Sequence, residues 1–228
     1  MAKRIVLITG TDTGVGKTLL TALLLAHGLA RGANVLAMKP FCSGGRGDVE
    51  LLDSIQEGRL PATLLNPFFF EEPVAPLVSS RLHRKRVTLE NACEAVCAAS
   101  QYCDTLLVEG SGGVLVPLGE KFSVLDLICR LKAEVIVVSR NQLGTINHTL
   151  LTAFALKTAG IRNFKVVLMD AKRPDFSSRS NASLLRELLA PNPLLAIPKL
   201  AGNLGDPKRV RRHAFRLDDS LGLILNKS

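Results

Sequence analysis

Ile5-Val-Leu-Ile-Thr-Gly-Thr-Asp-Thr-Gly-Val-Gly-Lys-Thr18 decides how this chain folds. A β-branched apolar run breaks into a loop rich in glycine and threonine, which closes on Gly16-Lys17-Thr18 and opens an apolar-periodic helix. Strand, loop and helix in that order suit a phosphate-binding P-loop. Successive backbone N–H groups converge on phosphate oxygens, Lys17 reaches the β- and γ-phosphates, and the Thr18 hydroxyl serves a Mg²⁺ ion. The usual pattern has its first glycine six residues before the lysine; Thr11 stands there, and the glycine is Gly10, one residue earlier. The plainer alternative is a glycine-rich turn in an α/β protein that binds no nucleotide, and the Gly-Lys-Thr ending argues against it. The loop implies a nucleoside phosphate but not the use made of its energy.

Outward from the loop, short β-branched runs alternate with helical patterns. This is the signature of an α/β fold with a mainly parallel sheet and helices on both faces, a P-loop NTPase-like domain. Strands are expected near 4–9, 34–38, 104–108, 134–138, 164–169 and 194–197. Helices are expected near 17–31, 48–57, 88–101, 123–131, 147–159 and 179–189, with Gly32 and Gly160 at helix C-terminal caps. Residues 58–86 break the rhythm: Pro61, Pro67, Pro73 and Pro76 crowd around Phe68-Phe69-Phe70, which reads as an irregular excursion with short helical pieces at best. The 228 residues suit one domain over 1–228, with 207–228 a basic tail of unassigned role.

The composition, 47% hydrophobic but 4% aromatic, fits an aliphatic α/β core. No apolar run approaches the ~20 residues of a membrane span. Met1-Ala-Lys-Arg leads directly into a strand without a signal-peptide pattern, so a cytoplasmic location and no membrane partner are expected. Cys93 and Cys97 lie four apart and share a helix face, but no CxxC pair or nearby His supports a metal. All five cysteines are expected to be buried reduced thiols. The net charge of +9 clusters at Arg81–Arg86 and Lys208–Arg216. Without interleaved aromatics it suits small anionic substrates or a plain solvated surface better than nucleic acid.

In an open α/β sheet, ligands gather beyond the carboxyl ends of the strands. After the second expected strand, Pro40 ends pairing in Met38-Lys39-Pro40-Phe41-Cys42-Ser43-Gly44-Gly45 and leaves Lys39 at the strand end, beside the P-loop strand in the usual winding. A second lysine there would stabilise charge that builds up during phosphoryl transfer. Asp48 is either a metal-facing carboxylate or only an N-cap. After the third comes Val108-Glu109-Gly110-Ser111-Gly112-Gly113. Here Glu109 takes the Walker-B place that normally carries Asp, and glycines let backbone lie against phosphate. After the fourth, Asn141–His148 forms a polar turn opening a helix, whose free N–H groups attract carboxylates or phosphates. His148 has no partner in view and reads as a structural or interface histidine.

Together these segments resemble the dethiobiotin synthetase family. Its Gly-Thr-Asp-Thr-x-Val-Gly-Lys-Thr pattern is met by Gly10–Thr18, which accounts for the early glycine. Lys-Pro-x-x-Ser-Gly is met by Lys39–Gly44, and Val-Glu-Gly-x-Gly-Gly by Val108–Gly113. An Asn-Pro-aromatic segment is met by Asn66–Pro76, Leu-Gly-x-Ile-Asn-His by Leu143–His148, and Ile-Pro-x-Leu by Ile197–Leu200. The resemblance implies ring closure of 7,8-diaminononanoate with CO₂, ATP and Mg²⁺ to dethiobiotin, through a carbamate and a carbamic-phosphoric anhydride. It places Gly14, Val15, Gly16, Lys17 and Thr18 on the ATP phosphates, Thr18, Asp48 and Glu109 around Mg²⁺, and Gly110, Ser111 and Gly112 beside the nucleotide. Thr13, Lys17, Lys39 and Ser43 would flank the carbamate and γ-phosphate, with Lys17 and Lys39 catalytic, while Gly112 and Gly113 line the diamine site. It also implies a homodimer in which Gly144, Thr145, Ile146 and Asn147 of the partner subunit receive the substrate carboxylate.

Two departures stand out. The family usually has Asn-Asp after the fifth strand, the Asn reading adenine edges; here the pair is Met169-Asp170. Met lacks that donor and acceptor, so base discrimination is either weaker or supplied by backbone around Pro198, Lys199 and Leu200. The tail after Gly205 matches no family motif, and Asp206 is only a displaced candidate for a base or ribose contact. The main alternative is a partition or septum-positioning ATPase, but those carry a lysine where this chain has Asp12 and an Asp where it has Glu109. A cobyrinic-acid amidase would need a further domain, and a binding module with a relic P-loop would not need Lys17, Lys39 and Glu109 together.

Overall fold

A computed structural model describes residues 3–171 and 173–226. Six parallel strands form one sheet in the order β10-β9-β8-β1-β5-β2. They are β1 (Arg4–Gly10), β2 (Val35–Met38), β5 (Thr105–Gly113), β8 (Glu134–Asn141), β9 (Lys165–Asp170) and β10 (Leu194–Ile197). Burial on both faces explains their near-continuous Val, Ile and Leu content. Val6, Leu7, Ile8, Leu106, Leu107, Val108, Val166, Val167 and Leu168 all lie in the core.

Helices cover both faces. On one, α1 (Lys17–Ala30) packs with α2 (Gly47–Gln56), α9 (Pro207–Arg216) and α10 (Asp218–Leu225). On the other, α5 (Leu89–Ser100) packs with α6 (Val124–Leu131), and α7 (Thr145–Thr158) with α8 (Asn181–Leu189). Gly32 and Gly160 follow α1 and α7 at φ of +73° and +85°, where a helix C-terminus needs the left-handed conformation.

Several boundaries differ from expectation. The third expected strand does not stop at 108: β5 continues to Gly113 because Gly113 pairs with Gly10 of β1, so Glu109 is a strand residue. β2 pairs with β5 and not with β1, so Lys39 lies one strand removed from the P-loop strand. Residues 58–86 are more ordered than their prolines suggest. They carry α3 (Ala62–Leu65), β4 (Phe68–Phe70) and α4 (Pro76–Leu82). β4 pairs in parallel with β3 (Phe41–Ser43), and Phe41 stacks on Phe68 at 4.7 Å. A small hairpin of β6 (Pro117–Gly119) and β7 (Phe122–Ser123) also went unforeseen. Three cysteines depart from the buried-thiol expectation: all five are free, but Cys93 is half-buried and Cys97 and Cys129 are exposed.

The basic tail is structural. Val210, Ala214, Leu221 and Ile224 are buried against the core while the arginines of α9 face outward. Asp206, considered for a base or ribose contact, is the N-cap of α9 and accepts from the Lys208 amide at 3.0 Å. His27 of α1 and Arg31 at its C-cap both contact Asp218, pinning α10 to the P-loop helix. Leu221→Ala is therefore expected to lower the unfolding free energy by about 2–5 kcal/mol. Phe215→Ala, at an 83% exposed side chain, should stay within about 0.5 kcal/mol. Urea denaturation of both variants checks this, and equal shifts would mean the tail is not part of the core.

Candidate functional site

β1 delivers the chain to the P-loop at the centre of the sheet, and α1 begins at Lys17. Gly16 is the N-cap at φ +110°, and Gly14 has φ +71°, conformations an L side chain rarely adopts. The early glycine has a steric reason. A Cβ on Gly10 would lie 2.8 Å from the Asp12 carbonyl oxygen, 2.9 Å from Val15 Cγ2 and 3.0 Å from Lys17 Nζ. The loop thus folds over Gly10, and any side chain there would push Lys17 aside. Lys17 Nζ donates to the Asp12 carbonyl at 2.9 Å.

Opposite the loop lies a cluster of charge. Lys39 Nζ donates to Glu109 Oε1 at 2.8 Å and also contacts Asp48 Oδ2. Thr18 Oγ1 donates to the same Glu109 Oε1 at 2.7 Å. The Lys39 and Glu109 side chains are 10% and 0% exposed, so this pair is buried and must be nearly fully satisfied to be tolerated. Burial opposes the charge on Lys39, but Glu109 and Asp48 outweigh it and hold its pKa above the usual lysine value. Lys17 goes the other way. Burial lowers its pKa to about 8, with Glu109 opposing and Lys39 adding to the fall. Asp48 is not an N-cap: Arg46 occupies that place and Asp48 sits in the first turn of α2.

The donors of this cluster could hold a divalent cation. Glu109 Oε2 is buried and has no hydrogen-bond partner, an uncompensated carboxylate oxygen of the kind a cation would satisfy. Two carboxylates and a threonine hydroxyl are too few for an all-protein cage. They suit Mg²⁺, which keeps waters and takes its remaining ligands from phosphates.

These groups line a cleft of about 850 Å³. Of the expected residues it gathers Thr13, Gly14, Gly16, Lys17, Thr18, Lys39, Ser43, Asp48, Glu109, Gly110, Ser111 and Gly112. The Ser43 hydroxyl is buried and unpartnered, whereas Ser111 already donates to the Phe41 carbonyl at 2.7 Å. Val15 and Gly113 stand behind this lining: Val15 is core, and Gly113 fits against the Gly10 carbonyl. Sequence reasoning did not assign Pro73–Pro76, Val116 or Leu204-Gly205 to the site, although all of them line the cleft. Pro73–Pro76 lay within the Asn66–Pro76 motif without a role, and the places of Val116 and Leu204-Gly205 depend on long-range packing.

Gly144–Asn147 lie on the other side of the loop. Gly144 is the left-handed N-cap of α7, and Thr145 and His148 line a small polar recess with Thr11, Asp12, Thr13 and Arg140. Ser139 joins Thr145 and Thr149 in a buried hydroxyl chain under this recess. Met169 does not reach into the cleft. Its side chain packs on the P-loop, where a Cβ on Gly16 would meet Met169 Cγ at 3.2 Å. Asp170 accepts from Asn141 Nδ2 at 2.9 Å, and Pro198–Leu200 follow β10 alongside it without lining the cleft.

A family pattern described as AAA domain matches residues 4–203. An ATP-dependent dethiobiotin synthetase of Bacillus licheniformis is 36% identical over 227 residues, covering 96% of this chain and 95% of the relative. The chain belongs to the dethiobiotin synthetase family. A second member, from Anaeromyxobacter, is 41% identical over 74% of this chain and 77% of its own. Among solved structures, a ParA family ATPase from Chlorobium tepidum superposes with a TM-score of 0.60 at 16% identity, covering 99% of both chains. MinD from Aquifex aeolicus gives 0.57 at 17% identity over 94% of this chain and 96% of its own. At that identity the likeness is one of fold alone.

With Met169 turned onto the loop, no side-chain amide from this position reads the base. GTP or CTP at equal concentration is expected to compete with ATP better here than in family members that carry Asn there. Strong retained selectivity for ATP in competition assays would contradict this.

Proposed function

We propose that this chain is an ATP-dependent ligase that converts 7,8-diaminononanoate and CO₂ to dethiobiotin, a step of biotin biosynthesis. The observation that carries the reading is the convergence of Lys39 and Thr18 on one oxygen of Glu109, in a cleft that continues past Ser43 and Gly112. Family membership supplies the substrate.

The reaction begins when one amine adds to CO₂ and loses a proton, giving a carbamate. A carbamate oxygen attacks the γ-phosphorus, and the bond to ADP breaks. The second amine then attacks the anhydride carbon, phosphate leaves, and the ureido ring closes. Lys17 and Lys39 are the catalytic cations, facing charge that accumulates on the transferring oxygens, where fixed charge in a water-poor site is most effective. Ser43 and Thr13 offer hydroxyls to the carbamate, while the glycines of β5 let the diamine approach the backbone. Thr18, Asp48 and Glu109 would hold Mg²⁺, which would supply neutralising charge for the phosphates. Arrival of a triphosphate would also offset the burial that depresses the Lys17 pKa.

The active form is a homodimer on this reading. Leu143, Leu151 and Phe154 are exposed apolar side chains on or beside α7, next to the polar recess at its N-terminus. Gly144–Asn147 of a second copy would then present free N–H groups to the substrate carboxylate.

Purified protein given ATP, Mg²⁺ and bicarbonate should release phosphate only when 7,8-diaminononanoate is added. Lys39→Ala is expected to lower kcat at least about a hundredfold while the dissociation constant for MgATP changes less than about tenfold. Diamine-independent phosphate release would sink the assignment, and unchanged turnover would remove Lys39 from the mechanism.

A further inference from the structure

We propose that Asn66 is a positioning residue for Lys39, an inference that rests on the catalytic reading of that lysine. β2 ends at Met38 and is the edge strand of the sheet, so the Lys39 backbone has no neighbouring strand on its outer side. The chain around Asn66 takes that place. The Lys39 amide donates to the Leu65 carbonyl at 2.9 Å, and the Phe68 amide donates to the Pro40 carbonyl at 3.0 Å. Between these two bonds, Asn66 Nδ2 donates to the Lys39 carbonyl at 2.7 Å, with a longer approach of 3.4 Å to the Pro40 carbonyl.

The geometry explains why this one bond matters. Pro40 has no N–H to anchor the turn, and it restricts Lys39 to extended ψ values. Within that extended range the tilt of the peptide plane between Lys39 and Pro40 still varies, and with it the placement of the Lys39 Cα that carries the side chain. Asn66 fixes that plane. Its own backbone is held because it closes α3, with its amide donating to the Ala62 carbonyl at 3.2 Å.

Its Oδ1 is buried without a partner. An orphaned acceptor of this kind is destabilising, so the amide at this place serves its donor and not the stability of the core. Leu keeps the branched outline with bulkier methyl ends, removes the orphaned oxygen, and removes the donor with it.

The test is a double-mutant cycle on kcat for diamine-dependent phosphate release, with Asn66→Leu and Asn66→Ser each made in the native and Lys39→Ala backgrounds. In the native background each is expected to lower kcat about tenfold, the scale of a sub-ångström misplacement, with the dissociation constant for MgATP changed less than twofold. In the Lys39→Ala background the same substitutions should change kcat less than twofold, because the group they position is gone. An equal loss in both backgrounds, or no loss in the native one, overturns the inference and leaves the role of Lys39 standing. Full turnover by Lys39→Ala alone overturns both. Ser at 66 keeps a small polar group, so it supplies the cycle if Leu does not fold.

Discussion

The buried contact between Lys39 and Glu109 is the constraint on which the site depends. Glu109 lies on β5 beside the P-loop strand, fixed by its register with Ile8 of β1, and is wholly buried. A carboxylate there is tolerable only with a cation and hydrogen bonds in place, which Lys39 and Thr18 supply. Removing one partner of such a pair leaves an uncompensated charge and costs about 3–5 kcal/mol. Thr18 lies in the first turn of α1, Lys39 directly follows β2, and Asp48 lies on α2. Glu109 therefore joins the first two of these segments directly, and the third reaches the cluster through Lys39.

The same arrangement separates the two lysines. Lys39 is held charged by Glu109 and Asp48. Lys17 is less compensated; burial outweighs the attraction of Glu109, and Lys39 adds repulsion. A P-loop lysine in this state gains most from an incoming phosphate, whereas a lysine already paired to carboxylates contributes a charge whose position is set beforehand. The orphaned second oxygen of Glu109 gives the cluster a place for a cation beside those phosphates.

Much of this was legible in the sequence, for a physical reason. The P-loop, Lys39-Pro40 and Glu109-Gly110 are places where an apolar strand run gives way to a charged residue followed by Gly or Pro, and such punctuation is local even where, as at Glu109, the strand itself runs on. The helices of the tail were not legible because α9 is so basic that its buried positions, Val210 and Ala214, are outnumbered by outward arginines. Residues 58–86 hid β4 and its pairing with β3 because each strand is only three residues long and two helices separate them along the chain. The placement of Asp48 could not be chosen between cap and site from its neighbours alone; its contact with Lys39 decides it. Met169 was visible as a departure, but its packing on Gly16 required the fold.

The central claim is that Lys39 is held in advance for charge that develops during phosphoryl transfer. The most direct measurement is the affinity of native protein and Lys39→Ala for ADP with aluminium fluoride, a mimic of the phosphoryl group in transit, in the presence of Mg²⁺ and diamine, compared with the affinity for MgATP. The account predicts that Lys39→Ala weakens the mimic at least about tenfold more than it weakens ATP. Equal weakening of both ligands would make Lys39 a ground-state binding residue and contradict the account.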